Sequence, residues 1–243
     1  MTGLLTGIEG PKKAKENIDA VLEFLLDETY TRADIIQKLL GYKHVRTAYK
    51  TLGKMEALEL IKSAEFSVAG VRKLKLWGIT THGQGMAYKG KFTEKPAFQP
   101  AKIRLASLNH NLGLQQVRVG ALKAGWSDWT RGGFKKKGEV SPDAVVTSPT
   151  GEKVAIELEL SLKTLRRYRH IMLAHLKERK KGSWQQVWYV SEPNIIERVE
   201  RAFASLDYIV IDGRKELLGD KYKQVFKFKE LGSIFEEREE GVL

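Results

Sequence analysis

Residues 141–170 read SPDAVVTSPTGEKVAIELELSLKTLRRYRH, and this stretch carries most of the information about the second half of the chain. A proline–glycine turn separates two apolar runs, and the second run alternates apolar with other residues, which is typical of a β-strand. The alternation places Glu157 and Glu159 on the same face of that strand. Pairing across the turn brings Asp143 near them. The stretch therefore predicts a β-hairpin on which three carboxylates converge.

The three carboxylates predict a metal site. Their mutual repulsion is costly unless a divalent cation neutralises it, and hard oxygen ligands favour Mg²⁺ or Mn²⁺. A cation held beside a basic surface suits phosphodiester hydrolysis, because it lowers the pKa of a bound water and stabilises the charge of the pentavalent state. A plainer interpretation is that Glu157 and Glu159 form the solvated face of an amphipathic strand.

Cationic residues lie on both sides of this hairpin in the sequence. A glycine- and lysine-rich loop precedes the hairpin, and Lys163 and several arginines follow it in a predicted helical region. Cations close to a metal site would hold phosphates and make DNA binding depend on salt. The candidate DNA contacts in this half of the chain are Lys135, Lys136, Lys137, Arg166, Arg167 and Arg169.

Residues 1–90 show the pattern of three helices followed by a hairpin. Apolar residues at helical spacing predict the first helix, and Thr31 with Asp34 forms a capping box that predicts the start of the second. A third helix is expected to begin near His44, with Val45 facing inward. Its remaining faces carry a polar and basic set of side chains.

Two extended stretches, at 60–67 and 72–79, then predict a hairpin. Three helices and a hairpin are the order of a winged helix-turn-helix, whose third helix enters the major groove and whose wing touches phosphates. The alternative is a dimerisation or protein-contact module. Cations on the third helix and the wing favour DNA, and the candidate contacts are Lys43, Arg46, Lys50, Lys54, Arg72 and Lys73.

The net charge is concentrated in the middle of the chain. The formal charge is +12, of which residues 1–100 carry +5, residues 101–182 carry +10 and residues 183–243 carry −3. This balance points toward a polyanionic partner, with nucleic acid first among them. The chain has no cysteine, which excludes disulfides, and no apolar run of about 18 residues. We expect a cytoplasmic protein without membrane insertion.

These motifs together resemble the PD-(D/E)xK nuclease superfamily. The chain is more closely similar to the plasmid mobilization proteins of the MobC (MOBC) relaxase family and to the related replication-relaxation proteins. The resemblance runs from the winged-helix segment through NHNLGLQQVRV, PDAVV and IELELSLKT to RRYRH. It implies an α+β fold with a winged helix-turn-helix at 1–90, a linker at 91–100 and a restriction-endonuclease-like (PD-(D/E)xK) α/β sandwich at 101–243.

The resemblance also assigns roles to the carboxylates. It implies that Asp143 and Glu157 are metal ligands and that Glu159 occupies the position of the usual motif lysine. Two alternatives follow for the activation of water: Glu159 is a general base or third ligand, or Lys163 supplies the missing ammonium. The superfamily's helix acid has no acidic equivalent here, and His110 or Gln115 would take its place.

The function that the resemblance implies is that of a plasmid mobilization relaxase. Such an enzyme nicks double-stranded plasmid DNA at a transfer origin by metal-dependent hydrolysis, with an accessory mobilization protein and a coupling ATPase as further partners. No two of the five histidines lie two residues apart, so the histidine pair of tyrosine relaxases is missing, and Tyr168 is favoured as a groove-lining or core residue. The alternatives are a non-enzymatic DNA-binding regulator of replication or transcription with a degenerate nuclease fold, and a nuclease that cuts both strands.

Overall fold

The protein is an α+β protein, which agrees with the coarse fold class expected from the sequence. Its computed structural model divides into two compact units, Met1–Gln115 and Gln116–Leu243. The division lies inside a helix, on the C-terminal side of the linker expected at 91–100. No helix among the described residues is long and apolar enough to cross a membrane. The structure describes residues 9–67, 73–87, 95–133, 141–211 and 213–235.

The first unit contains helices packed on a three-stranded antiparallel sheet with the strand order β1-β3-β2. Leu22 and Leu25, from the predicted apolar stripe of the first helix, are among its most deeply buried residues. A single 3₁₀ turn at Pro100–Lys102 precedes the last helix. In chain order the elements are α1 (Glu9–Glu28), β1 (Tyr30–Thr31), α2 (Ala33–Leu39), α3 (Val45–Ala57), β2 (Ile61–Phe66), β3 (Leu74–Ile79), α4 (Thr81–Ala87) and α5 (Leu105–Lys123), which continues into the second unit.

Two local expectations for the first unit are wrong. Arg32, and not Thr31, precedes α2, and no side chain caps that helix. Thr31 instead pairs with Trp77 in the sheet, and its hydroxyl donates a hydrogen bond of 2.8 Å to the side chain of Gln115. A tertiary partner has therefore replaced the local cap. Val45, which was expected to face inward, is 38% exposed at the first turn of α3.

The second unit is built on a five-stranded sheet with the order β10-β7-β6-β5-β4. β4, β5 and β6 form an antiparallel meander, and α6 then connects β6 to its parallel neighbour β7. β10 pairs in parallel with β7, and β8 pairs with β9 in a separate hairpin. The elements are β4 (Ser127–Arg131), β5 (Ala144–Thr147), β6 (Lys153–Leu158), α6 (Leu165–Lys180), β7 (Gln186–Ser191), α7 (Pro193–Ala204), β8 (Tyr208–Ile211), β9 (Arg214–Leu217), α8 (Asp220–Lys223) and β10 (Phe226–Glu230).

The hairpin predicted from the proline–glycine turn lies at the centre of this sheet. Gly151 has a φ of 85°, a left-handed conformation that glycine adopts without steric cost, and its N–H donates to the carbonyl of Ser148 at 2.9 Å. β6 is buried along most of its length because it has neighbours on both edges and helices on a face. Tyr168 of α6 is fully buried in the core beside Tyr189 and Phe203, so it is a core residue.

We expect Gly78→Ala to destabilise the first unit. A Cβ on Gly78 would lie 2.1 Å from the ring of Phe98, which is fully buried against β3. The crowding should lower the free energy of unfolding by about 2–3 kcal/mol in urea titrations of the full chain.

Gly85→Ala is the matched control. Gly85 lies in α4 with nothing within 4 Å of the added carbon, so alanine should leave stability unchanged or raise it by about 0.5–1 kcal/mol. Equal effects of the two substitutions would contradict the close packing of Phe98 on β3.

Candidate functional site

Asp143 is held against β6 by hydrogen bonds of its backbone and of its side chain. The N–H of Asp143 donates to the carbonyl of Ile156 at 3.0 Å, and the N–H of Leu158 donates to Oδ2 of Asp143 at 2.8 Å. Just before β5 begins, the carboxylate therefore accepts the hydrogen bond that a backbone carbonyl would accept if the antiparallel ladder continued. The structure brings Asp143 beside the strand that carries Glu157, as the hairpin pattern indicated.

Glu157 lies near the C-terminal end of β6 and faces α6. Its Oε1 is 2.9 Å from Nε2 of His175, a fully buried residue of α6 whose ring packs edge-on against Trp184. Burial raises the pKa of the Glu157 carboxyl above its usual value, while the hydrogen bond and charge of His175 oppose that rise. The negative charge of Asp143 raises this pKa further.

Glu159 follows β6 and is more deeply buried than Glu157. Its side chain is 2% exposed, and Oε2 accepts a hydrogen bond from the Lys163 ammonium in a close ion pair. Among the described residues, its other oxygen, Oε1, is buried without a hydrogen-bond partner. Burial raises the pKa of the Glu159 carboxyl, Lys163 opposes that rise, and the charges of Glu157 and Asp143 add to it.

The three carboxylates therefore form one electrostatic cluster with Lys163. The charge of Lys163 lowers the pKa of both glutamates, and the charge of Asp143 raises it. The charge of Glu157 also raises the pKa of Glu159. The interpretation of Glu157 and Glu159 as a solvated strand face is wrong, because these residues are only 9% and 2% exposed. The alternation pattern was sound, but α6 covers the face on which the glutamates lie.

The donor chemistry of this cluster fits a divalent cation. Mg²⁺ commonly binds through one or two carboxylates and retains waters, so Asp143 and Glu157 would be enough to hold it. The buried, unpartnered Oε1 of Glu159 is a further hard acceptor. Within the part of the chain that the structure describes, no three His, Asp or Glu side chains stand ready as a metal-binding group.

Lys163 lies in the segment between β6 and α6, whereas the sequence pattern predicted it in a helical region. Its N–H donates to the hydroxyl of the buried Tyr168 at 3.1 Å. α6 begins after Thr164, whose hydroxyl accepts a hydrogen bond of 3.3 Å from the N–H of Arg167. The two alternatives for the missing motif lysine, Glu159 and Lys163, are thus partners in one ion pair.

The arginines at the start of α6 differ in their surroundings. Arg166 and Arg167 are exposed, and both are available to a phosphate. The guanidinium of Arg169 lies over the ring of Tyr208, 4.2 Å from its centroid, and is partly buried. The cation–π contact attaches α6 to β8, so Arg169 has a packing role in addition to any contact with DNA.

Four of the predicted DNA contacts of the first unit lie on or beside α3. The helix buries Ala48, Leu52 and Met55 and exposes its basic side chains. Lys73, directly before β3, forms an exposed ion pair of 3.5 Å with Glu65. The exposed cations on or next to α3 are Lys43, Arg46, Lys50 and Lys54. Four predicted contacts lie outside the described residues, and they are Arg72, Lys135, Lys136 and Lys137.

The two residues expected to replace the acidic helix residue of the nuclease superfamily both lie in the first unit. His110 is partly buried in the first half of α5, and its role beside the carboxylates of the second unit stays a prediction. Gln115 is 1% exposed, and its amide donates to the carbonyl of Tyr30 at 2.7 Å while its oxygen accepts from Thr31. Gln115 is thus engaged at both ends in holding α5 to β1.

His175 is the residue of the site that sequence reasoning missed. It continues the buried stripe of α6 at helical spacing from Tyr168 and Met172, all of which are fully buried. The available signal was a histidine at a position where the helical spacing predicts a buried apolar side chain. His170, also in α6, is exposed, so the two histidines do not share a face of the helix.

Comparison with known proteins adds no relative. No protein-family model, no curated protein and no solved structure matches the chain. Function must therefore be argued from the geometry of the carboxylate cluster and from the distribution of charge.

We expect Glu159→Gln to change how the stability of the metal-free protein depends on pH. Because the folded-state pKa of Glu159 is raised, the stability contributed by its protonated form is complete below the unfolded-state pKa and is lost as pH rises through the folded-state pKa. Glutamine removes this loss. In urea titrations with EDTA, the variant should therefore gain stability relative to the wild type as pH rises above the ordinary glutamate pKa of about 4.3.

Glu152→Gln, in the exposed turn before β6, is the control and should show no such trend. A stability difference for Glu159→Gln that stays constant or falls as pH rises would contradict the raised pKa.

Proposed function

We propose that the chain is a DNA-binding, divalent-metal-dependent nicking endonuclease that acts as a plasmid mobilization relaxase. In this proposal it cleaves one strand at a transfer origin and so relaxes supercoiled plasmid DNA. The observation that carries the proposal is the cluster of Asp143, Glu157, Glu159 and Lys163 around the C-terminal end of a central strand. Two of these carboxylates are buried, and carboxylates that served only to solvate the protein surface would not need to be buried.

The fold supports the proposal at the level of topology. After α5, an antiparallel meander, a helix and a parallel strand succeed one another in the second unit. That succession agrees with the restriction-endonuclease-like α/β sandwich that the sequence resemblance implies. In the first unit, a basic third helix followed by a strand pair agrees with a winged helix-turn-helix.

In the proposed mechanism, Asp143 and Glu157 would hold Mg²⁺ or Mn²⁺, with Oε1 of Glu159 as a further acceptor. When bound, the cation supplies a water of lowered pKa and offsets charge on the phosphate. His175 holds the buried Glu157 carboxyl in place through the contact of 2.9 Å at its Oε1.

Glu159 and Lys163 divide the role of the missing motif lysine. The ammonium of Lys163 is the cation of the pair, and Glu159 fixes its position at the end of β6. From this position Lys163 would donate a hydrogen bond to a phosphate oxygen or to the attacking water. Lys163 is partly exposed, at 24% of its side chain, which leaves the side chain within reach of a substrate.

Duplex DNA would be held by the cations of both units. Lys43, Arg46, Lys50 and Lys54 lie on or next to α3, the helix expected to enter the major groove. Arg166 and Arg167 lie a few residues from Lys163 and would hold phosphates of the strand to be cut. The +10 charge of residues 101–182 favours this binding despite the nearby carboxylates.

The test is relaxation of supercoiled plasmid DNA by the purified full chain with Mg²⁺, with Mn²⁺ and with EDTA. We expect metal-dependent relaxed circles, and Asp143→Asn or Glu157→Gln should lower the nicking rate by about 10²-fold or more. Glu152→Gln in the exposed turn should retain the rate of the wild type.

Full activity in the Asp143→Asn or Glu157→Gln variant would contradict the assignment of the site. Linear product in place of relaxed circles would instead support a nuclease that cuts both strands.

One observation favours the second candidate, a DNA-binding regulator without nuclease activity. Glu157 and Glu159 already have basic partners within the chain, His175 and Lys163, so the cluster is neutralised in part without a metal. This candidate predicts tight DNA binding without nicking in the presence of either metal. The same plasmid assay, combined with a binding measurement, separates the two functions.

A further inference from the structure

Three large apolar side chains are exposed close in the sequence to the carboxylate cluster, two in the segment that joins β6 to α6 and one at the first residue of α6. Leu160, Leu162 and Leu165 are 44%, 41% and 41% exposed. Single exposed leucines are common on protein surfaces, but several within a few residues of one another mark an interaction surface. Leu160 directly follows Glu159, so these leucines lie close in the sequence to the residues proposed to cleave DNA.

Hydrogen bonds hold the segment at both ends. At its start, the N–H of Glu159 donates to the carbonyl of Val190 at 2.9 Å, and the hydroxyl of Ser191 donates to the carbonyl of Glu159. At its end, Lys163 is bound both to Glu159 and to the hydroxyl of Tyr168. The three leucines are therefore presented to solvent from a fixed backbone.

The charges around the leucines indicate the chemistry of the partner. Arg166 and Arg167 are exposed at the first turn of α6, directly after Leu165, and no carboxylate lies between Glu159 and Arg167 in the sequence. A surface that combines apolar side chains with cations is complementary to a polymer that combines apolar rings with anions. Nucleic acid has both, because its stacked bases are apolar on their faces and its phosphates are negatively charged.

We propose that Leu160, Leu162 and Leu165 form an apolar wedge that enters DNA beside the scissile phosphate and contacts bases that it has unstacked. The arginines at the start of α6 would hold the flanking phosphates. Apolar side chains inserted between base steps open and kink a duplex in this way. The inference rests on the proposed function, because it takes the cluster at the end of β6 to be the site that binds DNA.

A wedge of this kind has a consequence that a merely structural role does not have. Opening the duplex costs free energy, and DNA that is already unpaired at the binding site avoids that cost. The wild-type protein should therefore bind a duplex with a central unpaired bubble more tightly than the fully paired duplex of the same sequence. Removing the leucines should remove this preference and leave the phosphate contacts unchanged.

The experiment measures the affinity of the full chain, in EDTA, for a mixed-sequence duplex and for the same duplex with a central bubble. Fluorescence anisotropy of labelled DNA gives the two affinities. We expect the wild type to favour the bubble by about tenfold, and the triple variant Leu160→Ala, Leu162→Ala, Leu165→Ala to favour it by less than about twofold. Leu217→Ala removes an 82% exposed leucine from β9 and should keep the preference of the wild type.

The single variants Leu160→Ala and Leu162→Ala guard against misfolding of the triple variant, and each should lower the preference in part. The proposed wedge is contradicted if the wild type shows no preference for the bubble, or if the leucine variants keep that preference. A wild type that self-associates through these leucines, with the bubble preference unchanged in the variants, would likewise overturn it in favour of an interface between copies. Failure to bind either DNA is a different result, because it contradicts the proposed function itself.

Discussion

The pairing of two buried carboxylates with basic side chains of the α6 region is the constraint on which the second unit depends. Glu157 and Glu159 lie on the sheet face that α6 covers, where an unpaired charge would be strongly destabilising. His175 contacts the first carboxylate and Lys163 binds the second. The position of α6 on the sheet and the arrangement of the acids therefore determine each other. A helix shifted along β6 would separate His175 from Glu157.

This arrangement explains why the acids occur in the most basic segment of the chain. Burial raises the pKa of both glutamates, and nearby cations reduce that effect. A hydrophobic pair at these positions would hold α6 to the sheet at lower cost, so the acids carry a stability cost that the proposed metal-binding function would account for. The same cations would hold phosphates over the cluster. Lys163 stabilises Glu159 and is partly exposed, so in the proposed function it would serve both purposes.

The sequence predicted the parts of the structure that depend on periodicity. Alternation around Glu157 and Glu159 indicated one strand and one face, and the proline–glycine turn indicated the partner strand. The burial of that face was not predicted, because alternation alone does not show whether a helix will cover it. His175 was missed because its partner lies 18 residues away in the sequence. The capping role predicted for Thr31 was wrong because its hydroxyl donates a hydrogen bond to Gln115, 84 residues away. Contacts of this kind follow from the tertiary fold and not from local patterns.

Titration calorimetry with Mn²⁺ tests the central claim, that the acids at the end of β6 can hold a metal. It needs no knowledge of the DNA site and no catalytic turnover. The account predicts that the full chain binds Mn²⁺ in the absence of DNA and that Asp143→Asn and Glu157→Gln each weaken this binding by about tenfold or more. Wild-type protein that binds DNA tightly but shows no heat of Mn²⁺ binding, or variants that bind Mn²⁺ as the wild type does, would contradict it.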